Sequence, residues 1–236
     1  MDRSKFKIVR GKKDKVERYM NIIVKEDKGI VYEMFQEKDL EETASLMSEV
    51  FSKGELTVRY FEITAKEYHY FSEIYCKKAI KEGLSMVAKD KNNGKIVAFL
   101  INEDFDSPKP EGIEKLQPIV AADLSLIDAL EEYAKANKKE GERRFHLFLG
   151  GTDKEYENRH ILSTLIHESM KLAKNKNFTS IIAEPTGFAT QHIIKKLGFT
   201  QINFIEYKKF QFQGKNIFAN LEGPIGIPLM EKMIAI

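Results

Sequence analysis

The feature that most constrains the fold is a strand, a short polar loop and a helix that follow one another near the middle of the chain. The strand is RRFHLFLGG, in which the apolar residues Phe145, Leu147 and Leu149 are joined by an apolar Phe148. Successive side chains of a strand point to opposite faces of the sheet, so apolar residues at successive positions are typical of a strand that is covered on both faces. The helix after the loop, which begins near Ile161, carries apolar residues at helical spacing. The unit therefore predicts a mixed α/β fold with a buried strand at this point.

Two helices in the N-terminal half show the sequence signs of a capped start, and the strand GIVYEMFQ precedes them. Asp39 with Glu42, and Thr64 with Glu67, have the spacing of a capping box. Gly83 marks the end of the second helix. Both segments are therefore predicted to be helices with one apolar face.

The remaining elements alternate between helix and strand. LSMVAKD and KIVAFLINEDF form a predicted hairpin, joined by KNNG, in which Asn93-Gly94 is the favoured pair for a type I′ turn. Helices are predicted over 119–139 and 188–197, with the strand TSIIAE between them and a final hairpin of INFIEYKKFQF and NIFANL. No linker divides the chain. We predict one domain over residues 29–236, preceded by a basic N-terminal extension over residues 1–28.

Composition excludes several classes of function. The formal net charge is +2, which gives no overall attraction to nucleic acid. No apolar run reaches the ~18 residues of a membrane span, and the N-terminus has no apolar segment of signal-peptide type. Cys76 is the only cysteine, so no intrachain disulfide can form. We expect a cytoplasmic monomer or homodimer with no nucleic-acid or membrane partner.

Three segments carry a resemblance to a known family. KKLGFTQINFIEYKKFQFQGKNIF has Leu-Gly-Phe followed by a strand and a hairpin with Gly-Lys at its tip, VFSKGELT follows the first helix, and LGGTDKEYENRHIL leads into the central helix. In their order and spacing these segments resemble the GCN5-related N-acetyltransferase superfamily, in particular the arylalkylamine N-acetyltransferases of the insect dopamine N-acetyltransferase type. The resemblance covers the chain from about Ile30 to its C-terminus.

The resemblance implies a fold and a cosubstrate. The fold would be a mixed, mostly antiparallel twisted sheet of about seven strands, flanked by helices, with splayed central strands. The extra helix over 119–139 matches the arylalkylamine branch. The cosubstrate would be acetyl-CoA, whose pyrophosphate the superfamily holds on backbone N–H groups at a helix N-terminus. The residues that the resemblance assigns to this site are Leu149, Gly150, Gly151, Lys154, Asn158, Arg159, His160, Ile161 and Leu162.

The loop of this site departs from the superfamily pattern, which reads Arg or Gln, two residues, Gly, one residue, and Gly or Ala. Glu157, His160 and Leu162 stand at the matching positions. A carboxylate is unfavourable beside pyrophosphate, whereas Arg159 and Lys154 supply positive charge. Two interpretations stay open: a weakened but working anion site, and a fold retained without CoA binding.

Gly150-Gly151 at the end of the central strand also has two interpretations. The pair predicts a bulge or a close backbone approach, and the alternative is a simple turn that ends the strand. If the functional interpretation holds, a backbone N–H near Leu149 or Gly150 would polarise the thioester carbonyl, as an oxyanion donor does.

The chemistry needs a base, because an aliphatic ammonium, with a pKa of about 10, has no lone pair for attack. The resemblance places Glu55 at the position of the proposed catalytic carboxylate, and a solvated surface charge is the alternative. Thr186 and Thr190 stand where the family has two serines suggested to assist the proton or the leaving thiolate, although Thr186 could simply cap the next helix. Tyr207 is a distant candidate for the general acid, which stays unassigned.

The histidines lack metal-ligand spacing, so no metal site is predicted.

These observations predict an N-acetyltransferase that moves an acetyl group from acetyl-CoA to a small primary amine of the arylalkylamine or polyamine type. Transfer would be direct, with Glu55 as general base. The alternative is a catalytically silent protein of the same fold, which binds CoA weakly or serves as a protein-interaction module.

Overall fold

The computed structural model describes residues 23–234, which form an eight-stranded sheet flanked by helices. The strands are β1 (Ile23–Asp27), β2 (Ile30–Met34), β3 (Met86–Asp90), β4 (Ile96–Asp104), β5 (Arg144–Thr152), β6 (Ser180–Ala183), β7 (Thr200–Glu206) and β8 (Gly226–Met233). The helices are α1 (Leu40–Gly54), α2 (Leu56–Tyr60), α3 (Ala65–Glu82), α4 (Pro118–Ala136), α5 (Ile161–Asn175) and α6 (Phe188–Lys196). Within the described range, no helix combines the length and the apolar character that a membrane crossing requires.

The sheet is mixed and mostly antiparallel, as predicted. Its order is β1-β2-β3-β4-β5-β6-β8-β7, and the pair β5–β6 is parallel whereas the other neighbours are antiparallel. The sheet has one strand more than expected, because β1, in the segment predicted as the N-terminal extension, and β8 were not predicted, whereas the predicted strand NIFANL does not form. The rest of that segment, residues 1–22, lies outside the described residues, and the proposed domain limits stay a prediction.

The two central strands separate along their length, as predicted. β5 pairs with β6 only at their first residues, where Arg144–His146 lie beside Ser180–Ile182. β5 then continues to Thr152, whereas β6 ends at Ala183. Beyond His146, therefore, the edge of β5 that faces β6 has no strand partner there, and a cleft opens between the two.

Helices cover both faces of the sheet around this cleft. On one face, Met47 of α1 and Phe71 of α3 belong to the same buried cluster as Phe99 of β4. On the other face, Leu165 of α5 is buried in a cluster with Leu100. Neighbouring residues of β4 thus contact opposite layers, which explains why this strand and β5 are apolar at successive positions.

A β-bulge at Phe148 changes the face on which the side chains of β5 lie. Leu147 pairs with Asn102 and Leu149 pairs with Ile101, so Phe148 is the extra residue. Residues two apart share a face in a regular strand. Here Leu147 instead packs in the cluster of α5, and Leu149 in the cluster of α1 and α3.

Gly150 and Gly151 pair regularly inside β5, so neither a bulge nor a strand-ending turn forms at these two residues. The close approach that was also predicted is found at Gly151, where an added Cβ would lie 2.8 Å from Phe99 Cζ and 2.8 Å from Val50 Cγ1. We expect Gly151→Ala to lower the free energy of unfolding by about 1–3 kcal/mol through overpacking. Urea denaturation measures this, with Gly54→Ala as control because nothing lies within 4 Å of that added Cβ. Equal stability of the two variants would contradict the prediction.

The capping box predicted for the first helix does not form. Asp39 Oδ1 accepts a hydrogen bond from Lys89 Nζ at 2.7 Å, and Glu42 Oε1 accepts one from Ile96 N at 2.9 Å. Both carboxylates are therefore used to attach α1 to the β3–β4 hairpin. This tertiary use of the side chains cannot be inferred from their spacing.

The capping box predicted for the second helix is confirmed, because both of its hydrogen bonds form. Thr64 Oγ1 accepts from Glu67 N at 3.3 Å, and Glu67 Oε2 accepts from Thr64 N at 2.9 Å. Gly83 ends α3 in the left-handed region, with φ of +63°.

The β3–β4 hairpin is confirmed, but its turn is not the predicted two-residue type I′. The loop spans residues 91–94, because Asp90 N donates to Lys95 O at 2.9 Å. Gly94 has a positive φ of +75°, whereas Asn93 does not. Asp90 Oδ1 accepts from Asn92 N at 2.8 Å, and this side-chain bond stabilises the longer loop.

The prediction of the final hairpin was wrong for its second strand. β7 pairs with β8 and not with NIFANL, while Phe212 and Lys215 form an isolated bridge. NIFANL forms turns in which Leu221 N donates to Phe218 O at 3.1 Å. Phe218 and Leu221 are both buried beside β7 and β8. Their spacing of three residues suits a turn better than an alternating strand.

Candidate active site

A cleft with a volume of about 1170 Å³ lies where β5 and β6 separate. One side is formed by the loop before α5 and by the first turns of α5 and α6. The opposite side is formed by the end of α1, by α2 and by α4. A large concave site with polar groups from several elements is the usual form of a ligand site.

The loop before α5 has a glycine-like backbone although it contains no glycine. Asn158 and His160 both have φ of +59°, in the left-handed region that favours glycine. No side chain caps α5, whose first residue follows His160. The side chains of Glu157, Asn158, Arg159 and His160 are exposed. The first N–H groups of α5 are therefore free of a side-chain cap and can meet an anion.

Glu157 of this loop and Leu162 in the first turn of α5 both oppose CoA binding. Leu162 stands where the superfamily has Gly or Ala, and a Cβ at Gly150 would lie 3.0 Å from Leu162 Cδ1. Gly150 lies on β5, the strand that faces α5. Because Gly150 has no side chain, there is room for the side chain of Leu162. Glu157 lines the cleft and brings a negative charge toward the position expected for pyrophosphate.

Arg159 supplies a positive charge beside the same helix end. Its guanidinium lies 4.9 Å from the centre of the Tyr156 ring, and the Tyr156 hydroxyl donates to Asp90 Oδ2 at 2.7 Å. These contacts attach the loop to the β3–β4 hairpin. The Arg159 guanidinium is thereby kept on the side of the cleft that is formed by the loop before α5.

The structure brings most of the residues predicted to bind CoA to the cleft. Those that line it are Leu149, Gly150, Asn158, Arg159, His160, Ile161 and Leu162. Gly151 packs on the opposite face against Phe99, and Lys154 is exposed in a 3₁₀ turn, so neither residue lines the cleft. For these two, the prediction of contact with CoA has no support.

Glu55 begins α2 on the other side of the cleft. Its Oε2 accepts hydrogen bonds from Thr57 N at 2.7 Å, from Val58 N at 2.7 Å and from Thr57 Oγ1 at 2.8 Å. Its Oε1 is buried and has no hydrogen-bond partner among the described residues. Glu55 is therefore a fixed, half-buried carboxylate and not a solvated surface charge. The unpartnered oxygen can accept a proton from a ligand in the cleft.

Asp123 is a second carboxylate beside Glu55 in the cleft, and it was not predicted from the sequence. It lies in α4 with 6% exposure, and its Oδ1 is buried with no partner in the described chain. Burial, and then the charge of Glu55, raise the pKa of Asp123 to about 8. A sequence signal existed: Asp123 stands three residues before Leu126 and seven before Leu130, on the apolar stripe of its helix.

Thr186 and Thr190 line the cleft at the start of α6. The Thr190 hydroxyl donates to Gly187 O at 3.1 Å. Gly187, not Thr186, is the N-cap of α6, so the alternative in which Thr186 caps this helix was wrong. The Tyr207 hydroxyl donates to Thr186 O at 2.9 Å, and burial raises the pKa of Tyr207, which makes it a poor general acid.

His146 is a buried histidine between two carboxylates, and this arrangement was also not predicted from the sequence. His146 Nδ1 lies 2.9 Å from Glu103 Oε1, and His146 Nε2 lies 2.6 Å from Glu184 Oε2 at the cleft wall. Burial disfavours the charged ring, but the two carboxylates outweigh it and raise the pKa of His146 to about 10. The ring is therefore a buried imidazolium near neutral pH.

The same histidine belongs to a group that has the geometry of a metal site. Potential ligand atoms of Glu103, Glu131 and His146 lie within 4.8 Å of one another. Both ring nitrogens already contact carboxylates, which is the arrangement of an ion-pair network. The absence of a metal ion stays a prediction.

Comparisons with known proteins show similarity in fold. No protein-family model matches the sequence, and no curated protein matches it. Among solved structures, the C-terminal condensation domain of Ebony in complex with beta-alanyl-dopamine has a TM-score of 0.77 at 15% identity, over 87% of this chain and 99% of that chain. Mosquito arylalkylamine N-acetyltransferase like 5b has a TM-score of 0.73 at 19% identity, over 87% and 100%.

Drosophila melanogaster polyamine N-acetyltransferase has a TM-score of 0.68 at 16% identity, over 87% of this chain and 100% of that chain. This chain therefore has the fold of the GCN5-related N-acetyltransferases, with arylalkylamine and polyamine N-acetyltransferases among its structural neighbours.

Proposed function

We propose that this protein is an N-acetyltransferase that transfers the acetyl group of acetyl-CoA to a small primary amine. One observation carries the proposal: a single cleft has an open helix N-terminus on one side and a fixed carboxylate with an unpartnered oxygen on the other. The first is the group that holds a pyrophosphate, and the second is the group that removes a proton from an amine. The fold shared with N-acetyltransferases supports this assignment.

The donor side would hold acetyl-CoA on the loop before α5. Its pyrophosphate would meet the N–H groups of the first turn of α5, with Arg159 as the nearby cation. The pantetheine arm would lie along the free edge of β5 beyond His146. A backbone N–H near Leu149 or Gly150 would then stabilise the oxyanion that forms on the thioester carbonyl.

The acceptor side would bring the amine between α2 and α4. The amine nitrogen attacks the carbonyl carbon, its proton passes to Glu55 Oε1 directly or through water, and the C–S bond breaks to release the CoA thiolate. Thr186 and Thr190, which line the same cleft, would assist the departing sulfur through their hydroxyls. This direct transfer needs no covalent enzyme intermediate.

A panel of primary amines with detection of free CoA thiol tests the proposed function. We expect thiol release that depends on both acetyl-CoA and an amine, with arylalkylamines or polyamines among the active acceptors. A reaction without amine controls for thioester hydrolysis. Failure of every amine in the panel, with acetyl-CoA bound, would contradict the proposal.

The second candidate is a catalytically silent protein that binds CoA weakly or serves as an interaction module. Glu157 favours it, because this carboxylate lines the donor side of the cleft. Calorimetric titration with acetyl-CoA separates the two candidates. Neither heat nor a thermal shift at millimolar acetyl-CoA would favour the silent protein.

Glu157→Arg is expected to tighten CoA binding by about three- to tenfold at low salt, since two units of charge near a surface contribute ~1 kcal/mol. The gain should shrink as salt is raised, because salt screens exposed charges. Glu155→Arg is the matched control: it makes the same charge change at an exposed loop residue that does not line the cleft. Equal gains from both variants would show that Glu157 is not adjacent to the bound phosphates.

A further inference from the structure

Two carboxylates from different helices converge at the acceptor end of the cleft, and each has an oxygen without a partner. Glu55 begins α2, and Asp123 lies in α4. Glu55 Oε1 and Asp123 Oδ1 are both buried and have no hydrogen-bond partner in residues 23–234. An unsatisfied buried polar group costs about 1–3 kcal/mol. Two such oxygens lining one cleft indicate a ligand that brings hydrogen-bond donors.

Three uncharged groups act on this pair: the Thr57 hydroxyl and the phenols of Tyr68 and Tyr207. The Thr57 hydroxyl donates to Glu55 Oε2 at 2.8 Å, and its proximity to Asp123 opposes the rise in the pKa of that carboxyl. Tyr68 of α3 is fully buried nearby, and Tyr207 follows β7; burial raises the pKa of both phenols, which therefore stay neutral. Arg59 of α2 and Glu222 line the same cleft, but the charge that acts on Asp123 is that of Glu55.

Asp123 is buried beside the half-buried like charge of Glu55, so the pair without a ligand keeps one proton at neutral pH. Burial and Glu55 raise the pKa of Asp123 to about 8, which places that proton on Asp123. Glu55 holds three hydrogen bonds on Oε2, the arrangement of an ionised carboxylate. The empty site therefore carries one negative charge and one exchangeable proton.

We propose that Glu55 and Asp123 together form an ammonium site, in which a protonated amine replaces the proton of the empty carboxylate pair. On binding, the Asp123 O–H bond breaks and its proton leaves to solvent, while the ammonium N–H groups donate to Asp123 Oδ1 and Glu55 Oε1. The buried charge is −1 before binding and −1 after it. The inference rests on the proposed function for the role of this ligand as the acetyl acceptor.

This exchange defines the class of acceptor. An aliphatic primary amine, with a pKa of about 10, is a cation at neutral pH and can replace the proton. An aromatic amine or an alcohol is uncharged at that pH and would leave one carboxylate charge without compensation. Glu55 then removes one ammonium proton to free the lone pair for attack, and Asp123 stays ionised beside the reacting nitrogen.

The dependence of KM on pH tests the exchange, with an aliphatic primary amine as the probe and Asp123→Asn as the variant. For the wild type, KM should fall about tenfold per pH unit up to pH ~8 and then level off, because above pH ~8 no proton has to leave. For Asp123→Asn, KM should be independent of pH over this range and about tenfold higher at the plateau. If the amine instead binds uncharged, KM would keep falling toward pH ~10 in both proteins, and the proposal would be overturned.

Calorimetry of amine binding in two buffers of different ionisation enthalpy gives a test that needs no variant. We expect about one proton released per amine bound at pH 7 by the wild type, since the pair holds one exchangeable proton. Release of no proton would overturn the proposal. Acetylation of amines with a pH-independent KM would refute the ammonium site and leave the proposed function intact. Amine binding with proton release but no acetyl transfer would do the reverse.

Discussion

Glu55→Gln is expected to lower kcat for amine acetylation by about 10²–10⁴-fold, the usual contribution of a positioned general base. The amide keeps an oxygen that can accept from the N–H groups of Thr57 and Val58, so the start of α2 is preserved. It cannot take a proton from the amine, which therefore stays without a lone pair. The affinity for acetyl-CoA should not change, because Glu55 lies on the opposite side of the cleft from the loop before α5.

Glu222→Gln is the matched control, because Glu222 lines the same cleft but is exposed. Steady-state kinetics between about pH 6 and 9 should show normal turnover for this variant and a loss for Glu55→Gln at every pH. Unchanged turnover of Glu55→Gln across that range would remove Glu55 from the mechanism. Equal losses in both variants would indicate a general electrostatic effect of the cleft.

Elements that depend on local periodicity were predictable from this sequence. The strand from Arg144 and the helix capped by Thr64 form as expected, because their patterns encode a buried strand and a helix start directly. Strand partners were less predictable. β7 pairs with β8 across a long connection, and the bulge at Phe148 depends on the register with β4. Such pairings are tertiary properties that no short window of sequence contains.

The residues of the candidate site differ in the same way: some were predictable from the sequence and others were not. The family resemblance led to Glu55 and to the loop at His160, since both follow recognisable segments. It could not show that His160 adopts a positive φ, which preserves the backbone of the loop without glycine. Asp123 and Glu184 were missed, because their meaning arises from partners distant in sequence: Glu55 for the first and His146 for the second.

His146→Leu is expected to lower the free energy of unfolding by about 3–5 kcal/mol at pH 7, the usual cost of removing one partner from a buried ion pair. The ring is fully buried and contacts Glu103 and Glu184 through its two nitrogens. Glu103 also pairs with Lys78, but Glu184 has no second partner in the described chain, and its Oε1 is already unsatisfied. Glu184 would thus be a buried charge without compensation.

The pH dependence of this loss identifies its cause. An uncompensated buried carboxylate binds a proton more tightly in the native state than in the unfolded state, so the variant should regain stability as pH falls from 7 toward 5. The wild type has no such gain from Glu103, because His146 and Lys78 outweigh burial and lower the pKa of Glu103. Its imidazolium contributes stability that is complete below pH ~6.5 and lost as pH rises through about 10.

Adding Glu184→Gln to His146→Leu should recover part of the lost stability, because it removes the uncompensated charge while keeping the shape of the side chain. Urea denaturation of the single and double variants at pH 5 and 7 measures both effects. His167→Leu controls for loss of an imidazole, since His167 is exposed on α5. If the double variant were no more stable than His146→Leu, and if the deficit stayed constant with pH, the loss would come from the cavity and not from the charge of Glu184.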